Sequence, residues 1–177
     1  METSQPDLRY PIGQPELPTE ALSNAERVAY IRQLADLPAQ LTAAARRVGG
    51  IRLQEPYRPG GWNGRQVIHH LADSHVNSYT RFKLALTEDN PTIRPYEEQE
   101  WAELPDVEAT PITVSLTLLE ALHTRWTNLL AHLGEEQWQR TFYHPGSKQT
   151  FTLDQALVLY AWHGRHHLAH VGSLYQE

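Results

Sequence analysis

The sequence predicts an all-α protein, a four-helix bundle with a long crossover loop and an extended N-terminal arm. Three observations predict this fold. Capping signals precede three of the apolar stretches, apolar residues recur at three- and four-residue spacing, and strand signals are weak along the whole chain. The 177 residues suit one domain with a sizeable core. We therefore treat residues 1–177 as a single bundle domain in which residues 1–20 form the arm.

Composition excludes several classes of protein and of site. The net charge is −6, and an acidic chain repels the phosphate backbone of nucleic acids. The mean hydropathy is −0.54 and no apolar run could span a membrane, so we expect neither nucleic acid nor membrane as a partner. No secretory leader is visible, and we expect a cytoplasmic protein. The chain contains no cysteine, so histidine must carry any metal chemistry, with acidic residues as helpers.

The arm and the first helix are predicted from prolines and a cap. The first 20 residues contain four prolines and no helical periodicity, which favours an extended segment that Tyr10 and Ile12 would dock on the body. The sequence SNAE, beginning at Ser23, fits a capping box and predicts a helix that runs towards Val48. Pro38 is a candidate kink in that helix, and two glycines end it.

The middle of the chain contains two more predicted helices and the long loop between them. Asn63 and Gln66 form a second capping signal, which opens a helix that ends near Thr87. Residues 88–112 contain four prolines and predict a long loop, and long loops in compact domains are often functional. A third helix is predicted over residues 113–133, where apolar residues follow helical spacing.

The C-terminal part is predicted as a turn followed by the last helix. Residues 139–151 contain a proline and a glycine and predict a turn or short hairpin. Thr152 and Gln155 then form a third capping box, and the helix that they open runs to about Leu174.

Seven of the ten histidines lie in two clusters, one on the second and one on the last predicted helix. On the last helix, His163 and His167 are four residues apart, so their side chains share one face, about 5–6 Å apart at Cβ. This is the spacing of helical H-x-x-x-H metal-ligand pairs, although single helix histidines are more often surface or core residues. The rest of that face consists of Ala156, Tyr160, His170 and Leu174. Its apolar members indicate that it points into the bundle.

Periodicity does not decide which histidine of the second helix would join this pair. His75 falls inside the apolar arc of that helix. His70 falls on a polar stripe with Ser74, Asn77 and Arg81, and that stripe is either a solvated face or the lining of a polar pocket. Both interpretations stay open on the pattern alone.

Motifs along nearly the whole chain resemble one family. They are YPIG at 10–13, PYR at 56–58, GGW at 60–62, RQV at 65–67, HHLADSH at 69–75, NSY at 77–79, RFKL at 81–84, IRPY at 93–96, FYHP at 142–145, WH at 162–163 and HHLAH at 166–170. With these motifs the sequence resembles the DinB/YfiT-like superfamily, and within it the YfiT group of metal-dependent hydrolases. The long shared run from 60 to 96 makes the resemblance specific.

The resemblance implies a four-helix bundle and a metal site. In that family one histidine of the second helix and two of the last helix hold the metal, which here are His70, His163 and His167. A homodimer is also implied by the resemblance alone. The main departure close to the site is Gly164-Arg165, which touches no ligand position and could alter substrate contacts.

Three neutral imidazoles bind one Zn²⁺ per chain and leave a coordination position open, which is typical of catalytic sites; Ni²⁺ and Fe²⁺ accept the same ligands. Two enzyme interpretations follow. Metal-bound water attacks an ester, an amide or a related bond, or the metal binds a low-molecular-weight thiol whose thiolate attacks an electrophile. Members of the superfamily are implicated in the second chemistry, as bacillithiol- or mycothiol-dependent S-transferases. A third interpretation is a non-catalytic metal-binding module of a stress response.

The sequence-based preference between the two reactions depends on a carboxylate. A hydrolase needs a general base, and no glutamate stands next to a ligand histidine, so we favour thiol transfer. Asp73 is expected to orient a ligand imidazole or to pair with His69. The catalytic residues are unknown, and the pocket candidates are Ser74, Asn77, Arg81 and Tyr160. Among them Arg81 is the candidate that would bind an anionic group of a thiol cofactor.

Overall fold

Four long helices form the bundle in the computed structural model, which describes residues 7–175. They are α1 (Asn24–Val48), α2 (Gly64–Thr87), α5 (Ile112–Leu130) and α7 (Leu153–Ser173). The short elements are a 3-10 turn (Arg52–Gln54), α3 (Glu98–Trp101), α4 (Pro105–Ala109), α6 (Glu135–Trp138), β1 (Thr141–His144) and β2 (Gln149–Thr152). Helices α1 and α2 each pack against both α5 and α7, so α2 and α7 are neighbours. The predicted four-helix bundle is confirmed.

The helix starts follow local side-chain chemistry. At Ser23, Asn63 and Thr152 the side chain accepts a hydrogen bond from the third helical backbone N–H, and a Glu or Gln side chain accepts from the capping residue's own N–H. These reciprocal bonds satisfy donors that a helix leaves unpaired. Pro38 lies inside α1 without ending it. Helix α5 ends at Leu130, three residues earlier than predicted, because tighter turns replace its last hydrogen bonds.

The predicted long loop 88–112 contains two short helices, α3 and α4, which the sequence analysis did not predict. Contacts with α2 hold both. The guanidinium of Arg65 donates to the carbonyl oxygens of residues 107, 108 and 110 at 2.6–2.8 Å, which satisfies the C-terminal end of α4. The amide of Gln66 donates to the carbonyl oxygen of Ala102 at 3.0 Å, directly after α3. The loop is therefore anchored on the helix that carries His70.

The predicted turn or hairpin over 139–151 is a hairpin in which β1 and β2 pair antiparallel. Phe142 and Phe151 face each other across it with ring centroids 5.7 Å apart. Both rings are buried against the bundle. The hairpin therefore closes one end of the bundle and carries His144 towards α2 and α7.

A buried ion pair joins the first turns of α1 and α7. The guanidinium Nε of Arg27 lies 2.8 Å from Oδ1 of Asp154, and both side chains are 2% exposed. Oδ2 of Asp154 also accepts a hydrogen bond of 3.0 Å from the backbone N–H of Leu22, so both carboxylate oxygens have hydrogen-bond partners. The apolar core around Trp126 fills the space between the four helices.

The described part of the N-terminal arm, from residue 7, lies along α7, while residues 1–6 of the predicted arm fall outside the described residues. Tyr10 and Ile12, which were expected to dock the arm, remain exposed. The ring of Tyr10 nevertheless contacts that of His166, with centroids 5.9 Å apart. Backbone carbonyl oxygens add further contacts: that of Gly13 accepts the indole N–H of Trp162, and that of Leu8 lies 3.1 Å from Nε2 of His170. Within residues 7–175, none of the helices combines the length and the apolar character needed to cross a membrane.

Candidate metal centre

Three histidine side chains from two neighbouring helices meet inside the bundle. His70 comes from α2, and His163 and His167 come from successive turns of α7. One ring nitrogen from each lies within 4.8 Å of the other two, and Nε2 of His70 is 3.3 Å from Nε2 of His163. We call these residues the three-His centre. The face that the spacing of α7 predicted to point inwards does so.

The geometry and chemistry of the three-His centre fit a divalent metal ion. With Zn–N bonds of about 2.0–2.1 Å and tetrahedral angles, two ligand nitrogens are about 3.3–3.4 Å apart, which matches the separation between His70 and His163. Burial lowers the pKa of His70 to about 4 and holds the pKa values of His163 and His167 well below the ordinary value. The rings are therefore neutral at pH 7 and present the lone pairs that a metal requires.

The structure places His70 and His75 differently with respect to His163. His75 is fully buried behind His163, and its Nε2 lies 3.2 Å from Nδ1 of His163, away from the metal-facing nitrogens. Its other ring nitrogen lies 2.7 Å from Nε2 of His123 on α5. His70 brings its Nε2 into the centre, so the polar stripe of α2 is the lining of a pocket at this point rather than a solvated face.

A cavity of about 260 Å³ adjoins the three-His centre. Its polar lining consists of Ser74, Arg81, Glu98, His144, Ser147, Tyr160 and His163. We call it the site cavity. Larger grooves of about 410 and 560 Å³ lie between α1 and α5, but none of the three ligand histidines lines them. The site cavity gives a small molecule access to His163, and a smaller cavity of about 180 Å³ on the other side of the centre is lined by His167.

Three of the four pocket candidates line the site cavity. Nη1 of Arg81 donates a hydrogen bond of 2.7 Å to the hydroxyl oxygen of Tyr160, which joins α2 to α7 across the cavity. Ser74 is buried beside them. Asn77 is placed elsewhere: its amide donates to the backbone carbonyl oxygen of Asp73, four residues earlier on its own helix. Helix rotation separates Asn77 from the cavity-facing side chains.

The sequence analysis missed three polar residues of the site cavity, Glu98, His144 and Ser147. Glu98 lies in the first turn of α3, within the predicted loop 88–112, His144 ends β1, and Ser147 lies between β1 and β2. The Glu98 side chain is exposed overall, but it also lines the site cavity. Partial desolvation by the surrounding residues raises the pKa of its carboxyl group, and the positive charge of Arg81 opposes this rise. No spacing signal could have found any of the three, because they reach the site through loop and hairpin packing.

Two expectations about neighbours of the ligands were wrong. Among the described residues, Asp73 has no imidazole partner; burial and the nearby charge of Asp106 raise its pKa to about 6. The ring of His69 pairs with Oγ of Ser115 instead, at 2.8 Å. Gly164 does not face the substrate side either, because a Cβ there would come within 2.5 Å of Cδ2 of Leu37 on α1. Its lack of a side chain serves the packing of α1 on α7.

A second histidine group shares one member with the three-His centre. His166, His167 and His170 bring ring nitrogens within 4.8 Å of one another, and all three are buried. Nδ1 of His167 lies 3.3 Å from Nδ1 of His170. The Nδ1 atom of His166 has no hydrogen-bond partner within the described part of the chain.

We expect the metal-free protein to lose stability as the pH falls from 7 to 4. The pKa of His70 is about 4 in the folded chain and about 6.5 when exposed. Between these values the unfolded chain binds a proton that the folded chain does not, so the free energy of unfolding falls by about 1.4 kcal/mol per pH unit for each such histidine. Urea midpoints measured with a chelator at pH 7.5, 6 and 5 check this, and midpoints that stay constant over that range contradict it.

Fold and site together define a helical-bundle protein with a three-histidine centre that could bind a divalent metal. The family model of the DinB superfamily matches residues 33–171. The protein named "Putative metal-dependent hydrolase YfiT" from Bacillus subtilis (strain 168) is 49% identical over 168 residues, which cover 95% of this chain and 94% of that protein. A relative from Bacillus cereus (strain AH820), also named as a metal-dependent hydrolase of putative status, is 53% identical with 95% of each chain covered.

A solved structure is similar as well. It is described as "YfiT from Bacillus subtilis is a probable metal-dependent hydrolase with an unusual four-helix bundle topology". The TM-score is 0.91 at 50% identity, and the match covers 94% of this chain and 95% of that one. The chain belongs to the DinB superfamily.

Proposed function

We propose that this protein is a metal-dependent hydrolase that acts on a small molecule. The proposed ligands are His70, His163 and His167, with Zn²⁺ as the first candidate metal, since three imidazoles and an open position are typical of catalytic zinc. Ni²⁺ and Fe²⁺ are the other candidates for the same ligands. When bound, the ion supplies Lewis-acid chemistry that lowers the pKa of a coordinated water to about 7.

The observation that carries this proposal is the presence of Glu98 and the ligand His163 in the lining of one cavity. A hydrolase needs a group that accepts the proton of the attacking water and returns it to the leaving group. Glu98 has the chemistry for this role, because desolvation raises the pKa of its carboxyl group towards the working pH. The absence of a glutamate beside the ligands in the sequence, which favoured thiol transfer, therefore no longer argues against hydrolysis.

Arg81 and Tyr160 are the proposed partners of the oxygen on which negative charge develops. Arg81 donates to the hydroxyl oxygen of Tyr160 at 2.7 Å, so the phenolic proton of Tyr160 is free to be donated to a substrate oxygen. The positive charge of Arg81 strengthens that donor. The relatives' names also favour hydrolysis over a non-catalytic metal-binding role.

Thiol transfer of the bacillithiol type is the second candidate function. Arg81 lines the site cavity and could hold an anionic group of a thiol cofactor. The chain has no cysteine, so the thiol would be a substrate. In that reaction the thiolate sulfur forms a bond to an electrophilic carbon, and the leaving group departs with the bonding electron pair.

Cobalt substitution distinguishes the two functions. For a hydrolase we expect Co²⁺-loaded protein to show d–d bands that change with pH, and no thiolate-to-metal charge-transfer band when bacillithiol, mycothiol, cysteine or glutathione is added. The same protein loaded with Zn²⁺ should hydrolyse some members of a panel of p-nitrophenyl esters and anilides, and a chelator should abolish this activity. A new charge-transfer band with one thiol, together with no hydrolysis, would instead support S-transfer.

A further inference from the structure

A line of three histidines connects the three-His centre to the backbone of α1. Nδ1 of His163 lies 3.2 Å from Nε2 of His75, and Nδ1 of His75 lies 2.7 Å from Nε2 of His123. Nδ1 of His123 lies 2.6 Å from the carbonyl oxygen of Leu34. His75 and His123 are at most 1% exposed, so no solvent is available to replace these contacts. We call this line the α1 histidine line.

The end of the α1 histidine line determines which ring nitrogen carries the proton in each of its three imidazoles. The carbonyl oxygen of Leu34 only accepts, so Nδ1 of His123 carries the proton, and the Nε2 of this neutral ring is an acceptor. Nδ1 of His75 must then donate to it, which leaves Nε2 of His75 as the acceptor for Nδ1–H of His163. The last ring in the line, His163, is left with a bare lone pair on Nε2, the nitrogen that faces His70.

A shorter line of hydrogen bonds, through His170 to the N-terminal arm, sets the tautomer of His167 in the same way. Nε2 of His170 lies 3.1 Å from the carbonyl oxygen of Leu8 in the N-terminal arm and must donate to it. Nδ1 of His170 is then the acceptor for Nδ1–H of His167, 3.3 Å away. This leaves Nε2 of His167 with its lone pair. The ring of Tyr57 stacks on His170 with centroids 3.9 Å apart and holds the imidazole in this orientation.

We infer that His75, His123 and His170 are positioning residues that hold His163 and His167 in the tautomer and ring orientation that a metal ion needs. This inference rests on the metal centre of the proposed function but not on the reaction. The two lines are static supports rather than proton paths, because each ends at a backbone carbonyl oxygen that cannot take up a proton. Hydrogen bonds to the far ring nitrogen are known to orient metal-ligating histidines and to raise their basicity.

The same contacts argue against a second ion in the group formed by His166, His167 and His170. In the second line Nδ1 of His167 carries the proton that Nδ1 of His170 accepts, so an ion bound at these two nitrogens would have to displace that proton and would compete with the three-His centre for His167. Arg58 lines the same cavity as this group, and the positive charge of its guanidinium repels a cation there. Support of His167 explains the cluster without a second metal.

Tautomers in the metal-free protein provide the first test, which needs no variant. Long-range ¹H–¹⁵N spectra of histidine-labelled protein at pH 7.5 report which ring nitrogen carries the proton. We expect Nδ1–H for His163, His75, His123 and His167, and Nε2–H for His170. Finding His163 or His75 mainly as the Nε2–H tautomer would overturn the inference for the α1 histidine line. This result is independent of activity and so remains informative if the proposed hydrolysis fails.

Zinc affinity provides the second test, measured by competition with a chromophoric chelator. His75→Phe keeps an apolar ring but removes the acceptor, and we expect Zn²⁺ binding about 10–100-fold weaker. His75→Gln restores a carbonyl acceptor and should recover most of the affinity. The matched control is His69→Phe, which removes a buried histidine and its Ser115 bond next to His70 but outside both lines. Equal loss in His69→Phe and His75→Phe would mean that only packing had been disturbed and would contradict the inference.

Zinc stoichiometry tests the second line. We expect one Zn²⁺ per chain in the unaltered protein and in His166→Ala. Two Zn²⁺ per chain, falling to one in His166→Ala, would show that Nδ1 of His170 binds metal and would overturn the role assigned to His170.

Discussion

Replacement of His163 by alanine is expected to abolish stoichiometric metal binding while the bundle stays folded. The variant removes one of three ligands, and the free energy of structural zinc sites, about 10–16 kcal/mol over four ligands, implies about 2.5–4 kcal/mol for one of them. That loss corresponds to a several-hundred-fold weaker affinity. The fold should persist because His163 is only partly buried at the site cavity and the apolar core lies elsewhere.

The measurement is metal analysis after equilibration with Zn²⁺ and dialysis, with far-ultraviolet circular dichroism as the check on folding. His132→Ala is the control, because this histidine is exposed on the surface after α5 and bonds only to the carbonyl oxygen of Asn128. We expect one ion per chain in His132→Ala and almost none in His163→Ala. A His163→Ala protein that still holds one ion per chain would show that the ligand set is wrong.

The candidate ligand pair on α7 could be predicted from sequence because its geometry is local. His163 and His167 lie on one helix, so their separation follows from four residues of helical rise and rotation. The capping boxes at Ser23, Asn63 and Thr152 are local for the same reason, and the predicted helix starts agree with the structure to within one residue.

The choice of His70 over His75 was not local. Periodicity records polarity around α2, and a stripe that lines a polar cavity has the same pattern as a stripe exposed to water. The resemblance to the family favoured His70, but the role proposed for His75 depends on its distance to His163 and His123, which are on two other helices. The sequence of α2 alone cannot predict those distances.

The position of Glu98 in the site cavity could not be predicted from the sequence for a related reason. It stands on a four-residue helix in a proline-rich segment, where neither propensity nor periodicity predicts the direction of a side chain. Long-range contacts from the α2 end hold the segment: Nε1 of Trp62 donates to Oε1 of Gln99 at 3.0 Å, and Gln66 donates to the carbonyl oxygen of Ala102. A general base supplied by such a loop can be recognised only after the tertiary structure is known.

Glu98→Gln is expected to lower kcat/KM for hydrolysis by about 10²–10⁴-fold, the usual contribution of a general base, while Zn²⁺ content stays at one per chain. The amide keeps the size of the side chain but cannot accept the proton. Because the ionised carboxylate is the active form, kcat/KM of the unaltered enzyme should rise with pH through the elevated pKa of Glu98 and then level off. The variant should lack that rise.

Glu100→Gln is the matched control for this experiment. Glu100 stands on the same short helix, is exposed and does not line the site cavity, so the variant makes the same chemical change without reaching the reacting groups. We expect Glu100→Gln to keep the kcat/KM and the pH profile of the unaltered enzyme. If Glu98→Gln also keeps both, with zinc content unchanged, Glu98 is not the base. Hydrolysis would then lose its main structural support, and thiol transfer, in which the metal ion itself ionises the nucleophile, would become the better explanation of a three-histidine centre.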